Sequence, residues 1–300
     1  MNTLQQDVSP RLPLLLGCPV WNCDAWGGIV YPKRTAKREW LNWYSRMFNT
    51  VEGNNSFYAI PAPQHAERWG REAMDGFQFC MKFPREISHE RMLAGADRAN
   101  GEFFEVLRIL KEHDRLGPSF LQLSPRFSPH MLGTLESYLR SLPTDLPWAV
   151  EVRHLDWFDE GKYEQRLDEL LADLNIDKVL FDSRPLYQLP PDDEIERISQ
   201  TRKPKTPLRH TVTGERPMVR LVGRNRVELA DKYLSEWAVV VAGWIRAGLE
   251  PVVFTHAPDD AKAPELARRF CVEINKVLPA GAGVELPELP KQPKQLDLFS

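Results

Sequence analysis

The chain has 300 residues, of which 42% are hydrophobic and 27% are charged, values typical of a globular protein. Its 39 Lys and Arg against 42 Asp and Glu give a net charge of −3, which argues against a surface that is basic overall. The longest apolar run, Trp237 to Ile245, is too short to cross a bilayer, which takes about 20 residues. Four cysteines without CxxC spacing and an N-terminus without a signal pattern predict a cytoplasmic protein with reduced thiols and no membrane association.

Eight short β-rich runs follow one another along the chain, each followed by turn residues and a stretch of helical period. The runs are 14–17, 50–54, 77–83, 119–123, 148–153, 178–182, 218–222 and 251–255. This alternation predicts a single-domain α/β fold, a (β/α)8 TIM-type barrel over residues 14–278, preceded by an N-terminal extension over 1–13. The alternative is an open doubly wound sheet, but the Gly-rich phosphate turn usual after its first strand is missing.

Two segments interrupt the alternation. The connection between the sixth and seventh strands is long, and residues 197–226 contain nine basic residues against one acid, Glu215. After Leu278 the chain is rich in Pro and Gly, which predicts a flexible tail over 279–300.

Inward-facing positions on the strands are predicted from the two-residue period, and six strands direct polar groups toward the end of the barrel where catalytic residues gather. The faces are Thr50, Glu52 and Asn54; Gln78, Cys80 and Lys82; Phe120, Gln122 and Ser124; Ala149, Glu151 and Arg153; Leu180, Asp182 and Arg184; and Met218, Arg220 and Val222. The alternative is that these charges only neutralise one another inside the barrel. Their clustering at one end favours a functional site.

The residue types in this set favour an anionic ligand such as a phosphate or carboxylate. The candidate anion-binding residues are Lys82, Arg153, Arg220 and Arg224, with Asn54 and Gln122 as hydrogen-bonding groups. Glu151 or Glu52 is the predicted general base, and Asp182 is predicted to orient a partner or bind a metal. The cofactor is left open, with a divalent ion between these three carboxylates as one alternative. Tyr58 and Trp157 follow strands, where aromatic side chains either pack or stack on a ligand.

Several sequence blocks resemble domain-of-unknown-function family 72, the YecE-like proteins of bacteria. The blocks are GCPVW (17–21), TVEGNNSFYAIP (50–61), FQFCMKFPREISH (77–89), AVEVRHLDWF (149–158) and RLVGR (220–224). The resemblance implies a TIM-type barrel and no established reaction. It implies site roles at Glu52, Asn54 or Asn55, Phe57, Tyr58, Lys82, Glu151, Arg153, His154 and Trp157. The chain departs from the family at Val222, where members commonly have His, and at Thr255-His256, where they tend to have Asn.

The end of the chain carries a separate motif. Gln295, Leu296, Leu298 and Phe299, in the sequence QLDLF, resemble the pentapeptide with which bacterial DNA polymerases and repair proteins bind the sliding clamp. Its apolar side chains suit a hydrophobic pocket. The alternative is a tail that folds back onto the barrel or is disordered.

Three functions are compatible with these observations. The leading one is an enzyme that acts on a phosphate-bearing substrate such as nucleic acid, in the manner of a phosphoester hydrolase, and is tethered to the sliding clamp. The second is a small-molecule hydrolase, isomerase or lyase for a sugar acid or sugar phosphate. The third is a non-catalytic adaptor for nucleic acid or the clamp. The oligomeric state is left open.

Overall fold

A computed structural model describes residues 14–279 and 282–289, so the predicted extension over 1–13 and the QLDLF motif lie outside the described residues. Eight parallel strands form a barrel in which each strand is followed by helical segments. The strands are Leu15–Cys18 (β1), Thr50–Gly53 (β2), Gln78–Met81 (β3), Ser119–Gln122 (β4), Trp148–Glu151 (β5), Asp177–Asp182 (β6), Met218–Val222 (β7) and Val252–His256 (β8). The (β/α)8 prediction is therefore confirmed.

Helices surround the strands. They are Trp40–Met47 (α1), Asn55–Tyr58 (α2), Pro63–Glu72 (α3), Asp97–Glu112 (α4), Leu132–Ser141 (α5), Lys162–Asp173 (α6), Arg184–Tyr187 (α7), Glu194–Arg202 (α8), Asp231–Arg246 (α9) and Ala263–Asn275 (α10). No described helix is long and apolar enough to span a membrane.

The strands are paired in the order β3-β2-β1-β8-β7-β6-β5-β4. Two isolated parallel bridges, between Phe79 and Leu116 and between Lys82 and Phe120, join the edges of this sheet at β3 and β4 and nearly close the circle. All pairs between neighbouring strands are parallel. Their carboxyl ends therefore surround one opening, here called the mouth, where polar groups from distant parts of the chain meet.

Two layers of apolar side chains stabilise the barrel. The inner layer is small and fully enclosed by the strands, and it consists of Leu15, Cys80, Phe120, Ala149, Val179, Met218, Val252 and Phe254. The outer layer is much larger and lies between the strands and the helices. Because the inner layer fills the barrel, the polar groups of the mouth lie directly on closely packed apolar side chains.

The orientation of β6 differs from the prediction. Val179 and Phe181 face the interior of the barrel, where Phe181 is opposite Arg220 in the register, whereas Leu180 packs in the outer layer. A strand of a parallel sheet is buried on both faces, so its sequence lacks the polar–apolar alternation that would fix its orientation. Asp182 consequently points away from the mouth.

Part of the predicted tail also differs from the prediction. Within residues 282–289, Val284 is fully buried, and its backbone N–H and C=O form hydrogen bonds of 2.7 and 2.9 Å with the side chain of Asn275 on α10. Leu286 and Leu289 pack against the outer layer. The Pro-rich composition of this segment prevents α10 from continuing, but its spaced apolar side chains still pack against the outer layer.

The long connection between β6 and β7 contains α7 and α8. The Tyr187 hydroxyl shares its one proton in a bifurcated hydrogen bond with the carbonyls of Gln200 and Lys203, and Ser183 Oγ donates to the carbonyl of Pro204 at 2.7 Å. These bonds hold the end of α8 and the residues after it against α7. They place Lys203 beside the mouth, at the carboxyl end of β6.

Candidate functional site

Arg220 of β7 lies at the centre of a buried charge cluster in the mouth and is only 2% exposed. Its Nε and Nη2 donate to the two carboxylate oxygens of Glu52 at 2.8 and 2.7 Å, a bidentate pair. Its Nη1 donates to Glu151. The cluster thus joins β2, β5 and β7, three strands distant in sequence, as the inward parity of these residues predicts.

Glu52 receives further hydrogen bonds in the mouth. Asn54 Nδ2 donates to Glu52 Oε1 at 2.6 Å, and His256 Nε2 lies 2.9 Å from Glu52 Oε2. Burial opposes ionisation of Glu52, but Arg220 and His256 together hold the pKa of this carboxyl well below its usual range. Burial lowers the pKa of His256 to about 4, so at neutral pH the uncharged ring donates its Nε2–H. Each oxygen of Glu52 therefore has two donors.

Glu151 of β5 is bound between two guanidinium groups. Arg153 Nε donates to Oε1 of Glu151, and Arg220 donates to its Oε2. Burial opposes ionisation here too, but the two arginines keep the pKa of Glu151 below its usual value. The Arg153 guanidinium also lies 4.2 Å from the centre of the Phe181 ring. Both glutamates are thus ionised, and every oxygen of the two carboxylates accepts at least one hydrogen bond.

Lys82, directly after β3, is bound differently. Its Nζ donates to Gln122 Oε1 at 2.9 Å and lies 4.1 Å from the centre of the Phe57 ring. Within residues 14–279 and 282–289, no carboxylate oxygen lies within 4.0 Å of this ammonium, although its residue is only 8% exposed. Burial, together with the positive charge of Arg220, lowers the pKa of Lys82 to about 7.

Gln122, the last residue of β4, connects the cations of the mouth. Its Oε1 accepts from Lys82 Nζ at 2.9 Å, from Arg153 Nη2 at 3.0 Å and from Arg220 Nη1 at 3.3 Å. Three positive groups from three elements therefore converge on one neutral oxygen.

Some residues at the mouth were not predicted from the sequence. His256 would have been found by applying the inward parity to β8, since Val252, Phe254 and His256 share the inner face. Lys203 follows α8, and burial and Arg220 lower its pKa to about 8. His89 packs edge-on against Phe57, and burial and Lys82 lower its pKa to about 4. Lys203 and His89 belong to connections, where no strand periodicity indicates which way a side chain points.

Asp182 and Arg224 do not join the cluster. Asp182 accepts from Trp237 Nε1 at 2.9 Å and forms an ion pair with Arg184, so it fixes α9 to the outside of β6. Arg224 is fully buried and pairs with Glu196 and Asp192, which fixes α8 to the end of β7. The catalytic role predicted for Asp182 and the anion-binding role predicted for Arg224 are corrected accordingly, because each charge is used to attach a helix.

The aromatic and histidine candidates lie at different depths. Trp157 is buried and donates its indole N–H to the carbonyl of Phe127 at 2.8 Å, so it packs rather than facing a ligand. Tyr58 is 80% exposed beside Phe57. His154 is partly exposed at the end of β5, and its Nδ1 accepts from the backbone N–H of Asp156 at 3.3 Å. Tyr58 and His154 are therefore available at the rim, and their roles remain predictions.

A divalent ion between Glu52, Glu151 and Asp182 does not fit this arrangement. Asp182 points elsewhere, and the oxygens of the two glutamates accept from guanidinium groups. Among the residues that the structure describes, no group of three or more His, Cys, Asp and Glu side chains could hold a metal ion.

The basic stretch over 197–226 is largely neutralised. Six of its nine basic residues form ion pairs: Arg197 with Glu194, Arg209 with Glu160 and Glu164, Arg216 with Glu250, Arg220 with Glu52 and Glu151, Arg224 with Asp192 and Glu196, and Arg226 with Asp192 and Glu228. The connection is therefore not a continuous basic surface. The sequence shows nine positive charges but not the acids that approach them from other segments.

The fold and the charge cluster define a TIM-type barrel protein with an electrostatically organised mouth, at the end of the barrel where enzymes of this fold have their active sites. The sequence model of the family described as "Protein of unknown function DUF72" matches residues 15–292, and the chain belongs to this family. UPF0759 protein YecE of Escherichia coli K12 is 34% identical over 286 residues, which cover 95% of this chain and 100% of that protein. UPF0759 protein YunF of Bacillus subtilis is 30% identical over 158 residues, covering 49% of this chain and 55% of that protein.

Solved structures with the same fold include two proteins of this family. A DUF72 family protein from Enterococcus faecalis superimposes with a TM-score of 0.68 at 18% identity, covering 93% of this chain and 99% of that one. A DUF72 family protein from Thermotoga maritima gives a TM-score of 0.63 at 20% identity, covering 88% of this chain and 98% of that one. At this level of identity the likeness concerns the fold alone.

Proposed function

We propose that the protein is an enzyme whose mouth binds the anionic group of its substrate between Lys82 and Arg153. The observation that carries this proposal is the buried Lys82 ammonium, which has no carboxylate within 4.0 Å in the described part of the chain. A buried cation is normally paired, and an isolated one is expensive to bury. Lys203 adds positive charge at the same opening. A bound anion would supply the missing counter-charge.

Lys82 is also the residue best suited to transfer a proton in the mouth. A general acid or base works best when its pKa lies near the working pH, and burial brings the pKa of Lys82 to about 7. Glu52 and Glu151 were the predicted bases, but guanidinium donors keep the pKa of both low and occupy their oxygens. In this proposal they hold Arg220 and Arg153 in place, and Lys82 moves the proton.

The proposed substrate is phosphate-bearing, and its class is nucleic acid in the leading version and a sugar phosphate or sugar acid in the alternative. The leading version is supported by the positive charge at the mouth and by Tyr58, whose exposed ring could stack on a base. The alternative is supported by the ion pairs of residues 197–226, which leave little basic surface for a long polymer. Salt dependence separates the two, since binding of a polyanion weakens steeply as salt rises.

A calorimetric titration with inorganic phosphate and with a short oligonucleotide tests the proposal. We expect Lys82→Met to lower phosphate affinity by about tenfold or more, because a charged hydrogen bond is lost from a buried site. Lys205→Met is the matched control, since this exposed lysine lies over the Tyr187 ring, two residues after Lys203 in the connection between β6 and β7. Equal phosphate affinity in wild type and Lys82→Met would refute the proposed anion site.

Attachment to the sliding clamp is a second, independent part of the proposal and is supported by the sequence of Gln295, Leu296, Leu298 and Phe299 alone. Deletion of residues 295–299 is expected to abolish binding to the purified clamp while phosphate binding at the mouth is unchanged. A control chain with Gln295, Leu298 and Phe299 replaced by Ala should behave like the deletion. Unchanged clamp affinity in both would remove this part and leave the anion site intact.

A further inference from the structure

The side-chain amide of Gln122 has an unusual environment. Its Oε1 accepts from one ammonium and two guanidinium groups at 2.9 to 3.3 Å, all of them largely buried. These three bonds already have charged donors, and an acceptor with a negative charge would add Coulomb attraction to each of them. An anionic oxygen at the same point would therefore bind these three donors more strongly than the neutral amide does.

The fold does not depend on the position of the Gln122 side chain, provided that another acceptor takes its three donors. It is the last residue of β4 and is partly exposed, unlike Ser119, Phe120 and Leu121 before it. Within the described part of the chain, no acceptor forms a hydrogen bond with its Nε2, so only the three bonds of Oε1 hold the amide in place. Rotation of the side chain toward solvent would free all three donors at once.

We propose that Gln122 occupies the position of a substrate oxygen in the ligand-free protein, and that one oxygen of a phosphate or carboxylate group displaces its amide. This inference rests on the proposed function, since it requires an anionic substrate in the mouth. It gives the anion an exact location, the point where Lys82, Arg153 and Arg220 converge. It also changes the role predicted for Gln122 from a group that binds the substrate to a group that the substrate replaces.

Two substitutions of Gln122 separate this role from direct binding. In Gln122→Glu, a carboxylate with the same reach takes the three donors permanently, so affinity for orthophosphate should fall at least a hundredfold without loss of thermal stability. In Gln122→Leu, the anion does not have to displace a competing acceptor, so affinity for orthophosphate should rise. We expect a rise of about tenfold, which corresponds to the upper end of the net free energy of one hydrogen bond. Gln64→Glu, exposed on α3, makes the same change of net charge away from the mouth.

Isothermal titration with orthophosphate and with acetate is the measurement. Tighter binding of phosphate identifies a phosphate group as the displacing anion, and tighter binding of acetate identifies a carboxylate. Orthophosphate affinity that falls in Gln122→Leu, or that is unchanged in Gln122→Glu, would overturn the inference while the anion site stands. If Gln122→Leu does not fold, Gln122→Glu alone decides, because it keeps the size and reach of the side chain. Absence of binding of either anion in wild type and in every variant would instead refute the proposed function.

Discussion

The two sides of the mouth contain similar charges in different states. On one side, Arg220 and Arg153 pair with Glu52 and Glu151 through hydrogen bonds that leave no oxygen of either carboxylate without a donor. On the other side, the Lys82 ammonium has no carboxylate oxygen within 4.0 Å among the described residues and donates to the neutral oxygen of Gln122. The paired charges therefore build the site, whereas the charge of Lys82 is the one that a ligand would neutralise.

The pKa values follow the same division. On the paired side, the pKa of each buried carboxyl is lowered despite burial, because the arginines compensate for lost water. On the other side, burial dominates and lowers the pKa of Lys82 to about 7. An uncompensated charge lowers stability, and proteins tend to retain such groups where they function.

The paired side is expected to show the largest effect on stability. Glu52→Gln removes one charge of a buried ion pair and should lower the free energy of unfolding by about 3–5 kcal/mol. Glu236→Gln is the control, because its exposed ion pair with Arg184 should contribute less than about 1 kcal/mol. Urea denaturation measures both, and a loss at Glu52 no larger than at Glu236 would show that the paired side is not structural.

Substitution of Asp182 tests whether this residue lies outside the charge cluster of the mouth, as its contacts with Trp237 and Arg184 indicate. Asp182→Asn weakens the ion pair with Arg184 and the hydrogen bond from Trp237, and should lower the free energy of unfolding by about 2 kcal/mol. Affinity for phosphate should stay at the wild-type value, since Asp182 faces α9. Loss of phosphate binding in a folded Asp182→Asn protein would return this residue to the site.

Lys82 is expected to affect stability through pH. The folded protein releases the Lys82 proton near pH 7, whereas the unfolded chain retains it to about pH 10.4, so the unfolded state binds more protons between these values. The free energy of unfolding should therefore rise with pH over this window. Its slope should be steeper in wild type than in Lys82→Met, by up to about 1.4 kcal/mol per pH unit. Denaturant titrations from pH 7 to 9 measure this difference, and parallel curves would show that Lys82 is not an uncompensated charge. Lys203 and the buried thiols are present in both proteins, so their contributions cancel when the curve of Lys82→Met is subtracted from that of wild type.

The smallest effect on stability is expected at the rim. Tyr58→Ala should change the free energy of unfolding by less than about 0.5 kcal/mol, since the side chain is 80% exposed. If the substrate carries a base, the same variant should bind a nucleoside monophosphate at least fivefold more weakly, because stacking contributes about 1–3 kcal/mol per base. Binding of orthophosphate should not change. Equal weakening for both ligands would indicate a disturbed mouth instead of lost stacking.

Much of the fold and part of the site could be predicted from the sequence for identifiable reasons. Alternation of strand and helix signals gave the barrel, and period-two parity placed Glu52, Lys82, Glu151 and Arg220 at one opening, because each of these strands has polar residues on one face only. The same rule failed at β6, where apolar residues occupy both faces. It could not show that Arg224 is paired with Glu196, because that contact depends on how α8 folds over β7.

The ionisation of Lys82 is the most direct test of whether this buried ammonium awaits an anion. Nuclear magnetic resonance of the protein labelled with 13C at the lysine Cε, with Lys82→Arg to assign the signal, gives the pKa of this one ammonium with and without phosphate. We expect a Lys82 pKa of about 7 in the free protein and a value at least one unit higher when phosphate is saturating. A Lys82 pKa above 10 that does not change with phosphate would contradict this expectation.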